Sequence, residues 1–206
     1  MFKKGSLLVI SGPSGAGKST LIKEIIKNID NVYFSISTTT RPKREGERDG
    51  VDYFFVSREE FEREIEAGNF LEWAKVHGHY YGTSLKPVLK AIEEGKLVLF
   101  DIDVQGFESI MKSRLSELVT SVFVTTPTMS ELRRRLQRRG TDDEATIQKR
   151  LQNAIEEMKY MHKYEFILIN SDLERAKSEI VAIAKAARCK RDKEEIEAFI
   201  EYWKNN

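Results

Sequence analysis

Gly12-Pro13-Ser14-Gly15-Ala16-Gly17-Lys18-Ser19 is the stretch whose residue types and spacing speak most directly of chemistry. It fits G-x-x-x-x-G-K-[ST], the pattern of a loop that wraps phosphate oxygens. Its glycines let backbone N–H groups turn inward, and a helix beginning at its end adds positive potential. Lys18 would reach the β and γ phosphates of a nucleoside triphosphate, and the Ser19 hydroxyl would take a Mg2+ position. The alternative is a chance glycine-rich turn before a helix. Context argues against it, because an apolar strand precedes the motif and a helical apolar stripe follows it.

A second group of residues suits a second, smaller phosphate-bearing molecule. Arg41 and Arg44 lie three apart in a turn-rich stretch, and guanidinium forks pair with phosphate oxygens bidentately. Tyr53 and Tyr81 could add hydroxyl donors. Glu72 is an acid within the otherwise apolar Phe70-Leu71-Glu72-Trp73-Ala74. A carboxylate there could accept from both N1–H and the 2-amino group of guanine, two donors that adenine lacks, and such sites discriminate strongly. Taken singly, Glu72 also fits an exposed strand and the arginines a solvated loop. Asp101 closes the apolar run Leu97-Val98-Leu99-Phe100, at the sheet edge where open α/β folds bind ligands. Two readings stand for it, a Walker B-like acid acting on Mg2+ or its waters, and the N-cap of a following helix. No N-K-x-D occurs, which disfavours a GTPase switch.

Four short apolar runs must position these groups: Leu7–Ile10, Leu97–Phe100, Val122–Val124 and Phe166–Ile169. None alternates polar with apolar, so each reads as a strand buried on both faces. Leu21, Ile22, Ile25, Ile26 and Ile29 form a helical stripe after the first. Strand–helix alternation of this kind predicts an α/β fold with a parallel sheet wrapped by helices. Capping boxes are expected at Ser57/Glu60, Thr128/Glu131, Thr141/Glu144 and Ser171/Glu174. An aromatic, turn-rich stretch with a hairpin around Gly78, and an arginine-dense helical stretch, interrupt the alternation. Near the C-terminus Ile196, Phe199, Ile200 and Trp203 form a stripe expected to pack on the core or on a second subunit rather than a membrane.

Composition narrows the class. Thirty-four Lys and Arg against 33 Asp and Glu leave a net charge of +1, which gives no basic excess for nucleic acid or anionic membrane. The single Cys189 can make neither an intramolecular disulfide nor an all-cysteine metal site. No run is long and apolar enough for a signal-peptide core or a spanning helix, so the expected location is cytoplasmic. His77 and His79 flank a turn with no third ligand in view and read, like His162, as surface histidines. The sequence favours neither a monomer nor a homo-oligomer.

Seven segments together resemble the bacterial type of guanylate kinase. They are 12–19, Ser-Ile-Ser-Thr-Thr-Thr-Arg-Pro-Lys-Arg at 35–44, Gly-Val-Asp-Tyr-Phe-Phe at 50–55, Phe-Leu-Glu-Trp-Ala at 70–74, Tyr-Tyr-Gly-Thr at 80–83, Asp-Ile-Asp-Val-Gln-Gly at 101–106 and Arg-Arg-Gly-Thr at 138–141. Any one is weak, but in this order they are specific. The resemblance implies a P-loop NTPase fold carrying core segments 1–36, 84–127 and 163–206, a GMP-binding insertion at 37–83 and a helical lid at 128–162. It implies ATP and GMP as substrates giving ADP and GDP, a step of purine nucleotide recycling, with Mg2+ accompanying ATP. Arg41, Arg44, Tyr53 and Tyr81 match the family's GMP-phosphate contacts. Ser37, Glu72, Thr83 and Asp103 match its guanine contacts, with Thr83 where some relatives carry serine. Arg135, Arg139 and Arg150 match lid arginines that fold over the transferring phosphoryl group. Asn170, with Asp172 beyond it, would line the adenine side of the ATP site. Arg133, Arg134 and Arg138 are expected to be solvated surface.

Overall fold

The computed structural model describes residues 4–76, 78–138, 140 and 142–206. In chain order its elements are β1 (Ser6–Ser11), α1 (Lys18–Asn28), β2 (Val32–Phe34), β3 (Thr38–Thr39), β4 (Phe54–Phe55), α2 (Arg58–Glu66), β5 (Phe70–Val76), β6 (His79–Ser84), α3 (Leu85–Glu93), β7 (Leu97–Asp101), α4 (Val104–Met111), β8 (Val119–Thr125), α5 (Met129–Arg138), α6 (Glu144–Met158), β9 (Phe166–Ile169), α7 (Leu173–Ala187) and α8 (Lys193–Lys204).

β1 lies at the middle of a five-stranded, all-parallel sheet in the order β2-β7-β1-β8-β9. Side chains of a strand alternate between faces, so an unbroken apolar run needs cover on both. Leu8, Ile10, Leu97, Leu99, Val122 and Val124 meet α1 and α7 on one side, through residues such as Ile25 and Ile180. Leu7, Val9, Val98, Phe100 and Phe123 meet α3 and α4 on the other, through Val88 and Phe107. Three of the four expected strands therefore have the double burial read from their composition. β9 departs from it: Phe166, Ile167 and Ile169 are about 40% exposed and only Leu168 is buried. It is an edge strand, with a neighbour on one side only. Ile26 likewise turns outward on α1, while Leu21, Ile22 and Ile25 are buried.

A second, mixed sheet runs β4-β3-β6-β5. The hairpin expected at Gly78 joins β5 to β6, with Val76 opposite His79. Fully buried Phe61 of α2 packs this sheet, its ring stacked on Phe70 at 4.2 Å and on Tyr80 at 5.2 Å between centroids. α5 and α6 share a small apolar cluster of their own, Leu132, Leu136, Ile147, Leu151 and Ala154.

The caps differ in part from expectation. Ser57 and Glu60 form the full reciprocal box, and the Thr128 hydroxyl accepts from the Glu131 N–H. α6 is capped by Asp143 and α7 by Asp172 rather than by Thr141 and Ser171. Asp172 also begins the helix one residue later than the Ser171 box would. Thr141 lies outside the described residues. The α8 stripe stands largely open, with Ile196, Ile200 and Trp203 exposed and no residue of the helix buried, so it does not pack on the core as a buried face. Its N-terminus is tied instead by Lys4, which bridges Asp192 and Glu194.

Phe61→Ala should remove the ring on which the second sheet stacks, at a cost of about 3–5 kcal/mol. Urea unfolding should show a lower midpoint; an unmoved midpoint would mean that this aromatic stack does not hold the sheet.

Candidate active site

The chain leaves β1 through Gly12, whose backbone passes so near β8 that an added Cβ would sit 2.0 Å from the Val124 carbonyl oxygen. At the other end of the loop Gly17 caps α1 with φ +104°, where a Cβ would meet the Asn170 side chain at 2.4 Å. Glycine is required at both by close approach and by left-handed backbone. Lys18 opens α1 and its Nζ donates to the Gly12 carbonyl at 2.5 Å and the Pro13 carbonyl at 3.3 Å. Asp101, at the end of the neighbouring β7, faces the same ammonium at 3.9 Å. Burial raises the Asp101 carboxyl above its ordinary value, and the charge on Lys18 opposes the rise.

The loop is gripped from its far side. The Ala16 carbonyl accepts from Asn170 Nδ2 at 2.8 Å and Arg135 Nη1 at 3.3 Å. Arg135 also donates to the Asn170 carbonyl at 2.8 Å and to Glu131 at 2.7 Å. Arg134 and Arg135 together draw the Glu131 carboxyl down to about 2. Arg150 of α6 donates to the Ser14 hydroxyl at 2.8 Å and to Asp142 at 3.0 Å. Both arginines thus touch the loop directly. Arg139 lies outside the described residues.

Two hollows flank a shared wall. One, of about 360 Å³, is lined by Gly12, Ser14, Gly15, Gly17, Lys18 and Ser19, with Asp101, Ile102, Asp103 and Glu157 opposite. The other, of about 400 Å³, takes Asp101, Ile102 and Asp103 as its near wall and Ser37, Tyr53, Glu72, Trp73 and Tyr81 from the second sheet. Here Glu72 on β5 is cross-strand from Thr83 on β6, and the buried Thr83 hydroxyl donates to it at 2.7 Å. Burial raises the Glu72 carboxyl; the Thr83 bond opposes this and the charge on Asp103 adds to it. Asp103 caps α4, its Oδ1 accepting from the Gln105 and Gly106 N–H groups. The capping alternative open for Asp101 therefore belongs to Asp103, two residues on.

Arg41, Arg44 and Asn170 lie beside these hollows rather than in them. Arg41 sits past β3 with its guanidinium 5.3 Å from the Tyr53 ring centre, and Tyr53 meets Tyr81 edge-on at 6.1 Å. Burial raises the Tyr53 hydroxyl, Tyr81 adds to the rise and Arg41 opposes it. Arg44 is exposed on the same turn. Asn170 belongs to a third hollow of about 420 Å³ on the outer side of the loop, with Gly15, Gly17, Thr20, Arg134, Arg135 and Arg138. Arg134 and Arg138 are exposed, as expected, and both also border it. Glu157 also went unread in the sequence, although it stands seven residues after Arg150 and so on the same helical face. Burial raises its carboxyl, with Lys18 opposing.

The parallel sheet, a glycine loop between its central strand and α1, and a second hollow across a carboxylate wall define a P-loop fold of the phosphoryl-transfer class. Comparison with known proteins narrows this. The family model for guanylate kinase matches residues 4–187. The guanylate kinase of Sulfurimonas denitrificans is 53% identical over 203 residues, covering 98% of each chain. That of Thermotoga maritima is 48% identical over 206 residues, covering 98% of this chain and 99% of its own. The crystal structure of guanylate kinase from Anaplasma phagocytophilum superposes with a TM-score of 0.71 at 34% identity, over 92% of this chain and 89% of that one. The chain belongs to the guanylate kinase family, and it is an enzyme of that family.

If Glu72 accepts from the ligand as a carboxylate, its raised pKa has a signed consequence. Protonation removes the acceptor, so GMP affinity should fall with decreasing pH from above the ordinary glutamate value of ~4.3. GMP's own phosphate titrates near ~6 in wild type and variant alike. Calorimetric titration of wild type and Glu72→Gln across that range separates the two. Wild type should bind more tightly at neutral pH and lose its advantage on acidification; parallel profiles would remove Glu72 from base recognition.

Proposed function

We propose that the chain transfers the γ-phosphoryl group of ATP to GMP, with ATP on the glycine loop and GMP in the hollow of the second sheet. The observation that carries this reading is the pair of hollows sharing the Asp101–Asp103 wall, one floored by the loop and the other lined by Glu72, which the buried Thr83 hydroxyl holds. In this reading residues 37–83 form the GMP-binding insertion and 128–162 the lid. Gly12, Pro13, Ser14, Gly15, Ala16, Gly17, Lys18 and Ser19 hold the triphosphate, with Asn170 toward the adenine side.

The acceptor reading follows from donor and acceptor chemistry. Glu72 and Thr83, with Ser37 and Asp103, present oxygens to the guanine edge. An adenine ring would leave the Glu72 carboxylate facing an unprotonated nitrogen. Arg41, Arg44, Tyr53 and Tyr81 take the GMP phosphate. That phosphate has a second pKa near ~6 and is mostly dianionic at neutral pH. Its oxygen attacks the γ-phosphorus without a general base, and the bond to the β–γ bridging oxygen breaks, leaving the electron pair on ADP. Like charge is the obstacle: two unit charges about 4 Å apart repel by ~4 kcal/mol at an effective dielectric of 20. Lys18, Arg135, Arg139, Arg150 and Arg41 supply the opposing charge, and positioning completes the catalysis. Closure of the helical segment over the phosphates would exclude water and limit ATP hydrolysis.

The residues present fit a divalent cation. Ser19 and the half-buried Asp101 bring hard oxygens to one hollow, and among the described residues no group of three or more His, Cys, Asp or Glu forms a closed metal cage. Mg2+ prefers this kind of site, with few protein oxygens and the rest from phosphate and water. Ser19 would hold it with Asp101 acting directly or through water, and bound there it neutralises charge on the phosphates. Among the described residues no helix is long and apolar enough to cross a membrane. A cytoplasmic location and a role in GMP recycling belong to this reading; the free, exposed Cys189 suits a reducing compartment.

A coupled assay offering GMP, AMP, dTMP and UMP with ATP–Mg2+ should show ADP formation with GMP far ahead of the rest; preference for another acceptor would sink the guanine assignment. Lys18→Ala should abolish transfer while retaining the far-ultraviolet circular dichroism of wild type. Turnover at the wild-type rate would refute its role.

A further inference from the structure

One acid in the turn between β3 and β4 has no part in the roles given above. Glu47 takes Arg41 Nη2 on both carboxylate oxygens, at 2.7 and 2.9 Å, and its Oε2 also accepts the Arg44 N–H at 2.8 Å. Arg41 is fixed further by donating from Nη1 to the Pro42 carbonyl at 2.7 Å and by lying against the Tyr53 and Phe55 rings. The pair is enclosed, with only 10% of the Arg41 side chain and 20% of Glu47 exposed. Glu47 therefore links the side chain of one phosphate-seeking arginine to the backbone of the other.

We propose that Glu47 is the positioning residue of the acceptor-phosphate site, holding Arg41 and folding the 41–47 turn in the arrangement that receives the phosphate of GMP. The inference rests on the reading of Arg41 as a GMP-phosphate contact. An arginine that must be ordered when its ligand arrives loses affinity to that ordering, and prior fixation removes the cost. A guanidinium has five N–H donors in one plane. Glu47 engages Nη2, Pro42 takes one hydrogen of Nη1 and the Tyr81 side chain also bonds the guanidinium. Glu47 itself therefore occupies only one of the three guanidinium nitrogens.

Charge alone points the other way, and this makes the proposal testable. Glu47 cancels one positive charge beside an anion site, so by Coulomb attraction its removal would tighten GMP binding. By positioning, its removal weakens it. GMP and ATP titrations and steady-state kinetics are to be run on wild type, Glu47→Ala, Glu47→Gln, Arg41→Met and the Arg41→Met/Glu47→Ala double variant. Glu47→Ala should raise the KM for GMP about tenfold, the scale of a lost charge-assisted hydrogen bond. The KM for ATP should stay near wild type. Glu47→Gln keeps an acceptor for the Arg44 N–H and should recover part of the loss, and as a near-isostere it also serves if the alanine variant folds poorly. The double variant should lose clearly less than the sum of the two single losses, because Glu47 acts mainly through Arg41 and otherwise only through the Arg44 backbone. GMP affinity unchanged or improved in Glu47→Ala, or additive losses in the double variant, would overturn the proposal while leaving the arginine's role intact. An unaltered GMP KM in Arg41→Met would instead overturn the phosphate-site reading beneath it.

Discussion

The approach of Gly12 to the Val124 carbonyl is the contact on which the arrangement of the site depends, because it sets where the chain leaves the central strand. A side chain there would collide with backbone, which cannot swing aside as a side-chain tip can. With that departure fixed, the loop curls over the carboxyl end of the sheet and α1 begins at Lys18. Asp101 reaches the same edge because β7 pairs with β1 in parallel register, Ile10 opposite Asp101. Asn170 reaches it because β9 ends beside β8, and Arg135 follows because it bonds both Asn170 and the loop. Parallel strands deliver all of these groups to one edge.

Charge is organised on the same plan. The balance of 34 basic against 33 acidic residues conceals local sorting. Arginines from α5 and α6 converge on the loop, while Glu72, Asp101, Asp103 and Glu157 line the hollows around Lys18. Burial disfavours ionisation of Glu72, Asp101 and Glu157, and Lys18 offsets it for the latter two. Arg41, outside those hollows, has its own counter-ion in Glu47, as Arg135 has Glu131 and Arg150 has Asp142.

Much of the fold was legible in the sequence because its strongest signals are local. Unbroken apolar runs marked three doubly buried strands, and a turn before His79 marked the hairpin. The run at Phe166–Ile169 reads no differently from the others, yet it is an edge strand; sheet order is a property of pairing, which composition does not encode. The α8 stripe has the period of a buried face and remains open, since periodicity shows that a face is apolar and not what covers it. Capping boxes misassigned at two helices reflect competition among adjacent Ser, Thr and Asp residues for one helix end.

By itself the sequence determined the phosphate loop, its neighbouring strand and helix, and the oxygen and guanidinium chemistry suited to nucleotide phosphates. These follow from residue type at short spacing, where backbone geometry leaves few alternatives. Only the tertiary structure decided which groups share a hollow: that Asp103 rather than Asp101 caps α4, that Arg134 and Arg138 line a hollow beside the loop, and that Glu47 and Glu157 belong to the site's surroundings. The Asp103 cap and the grip of Glu47 on Arg41 are local choices among competing partners, whereas the hollows join residues on separate elements, brought together by packing of the two sheets and the α5–α6 pair.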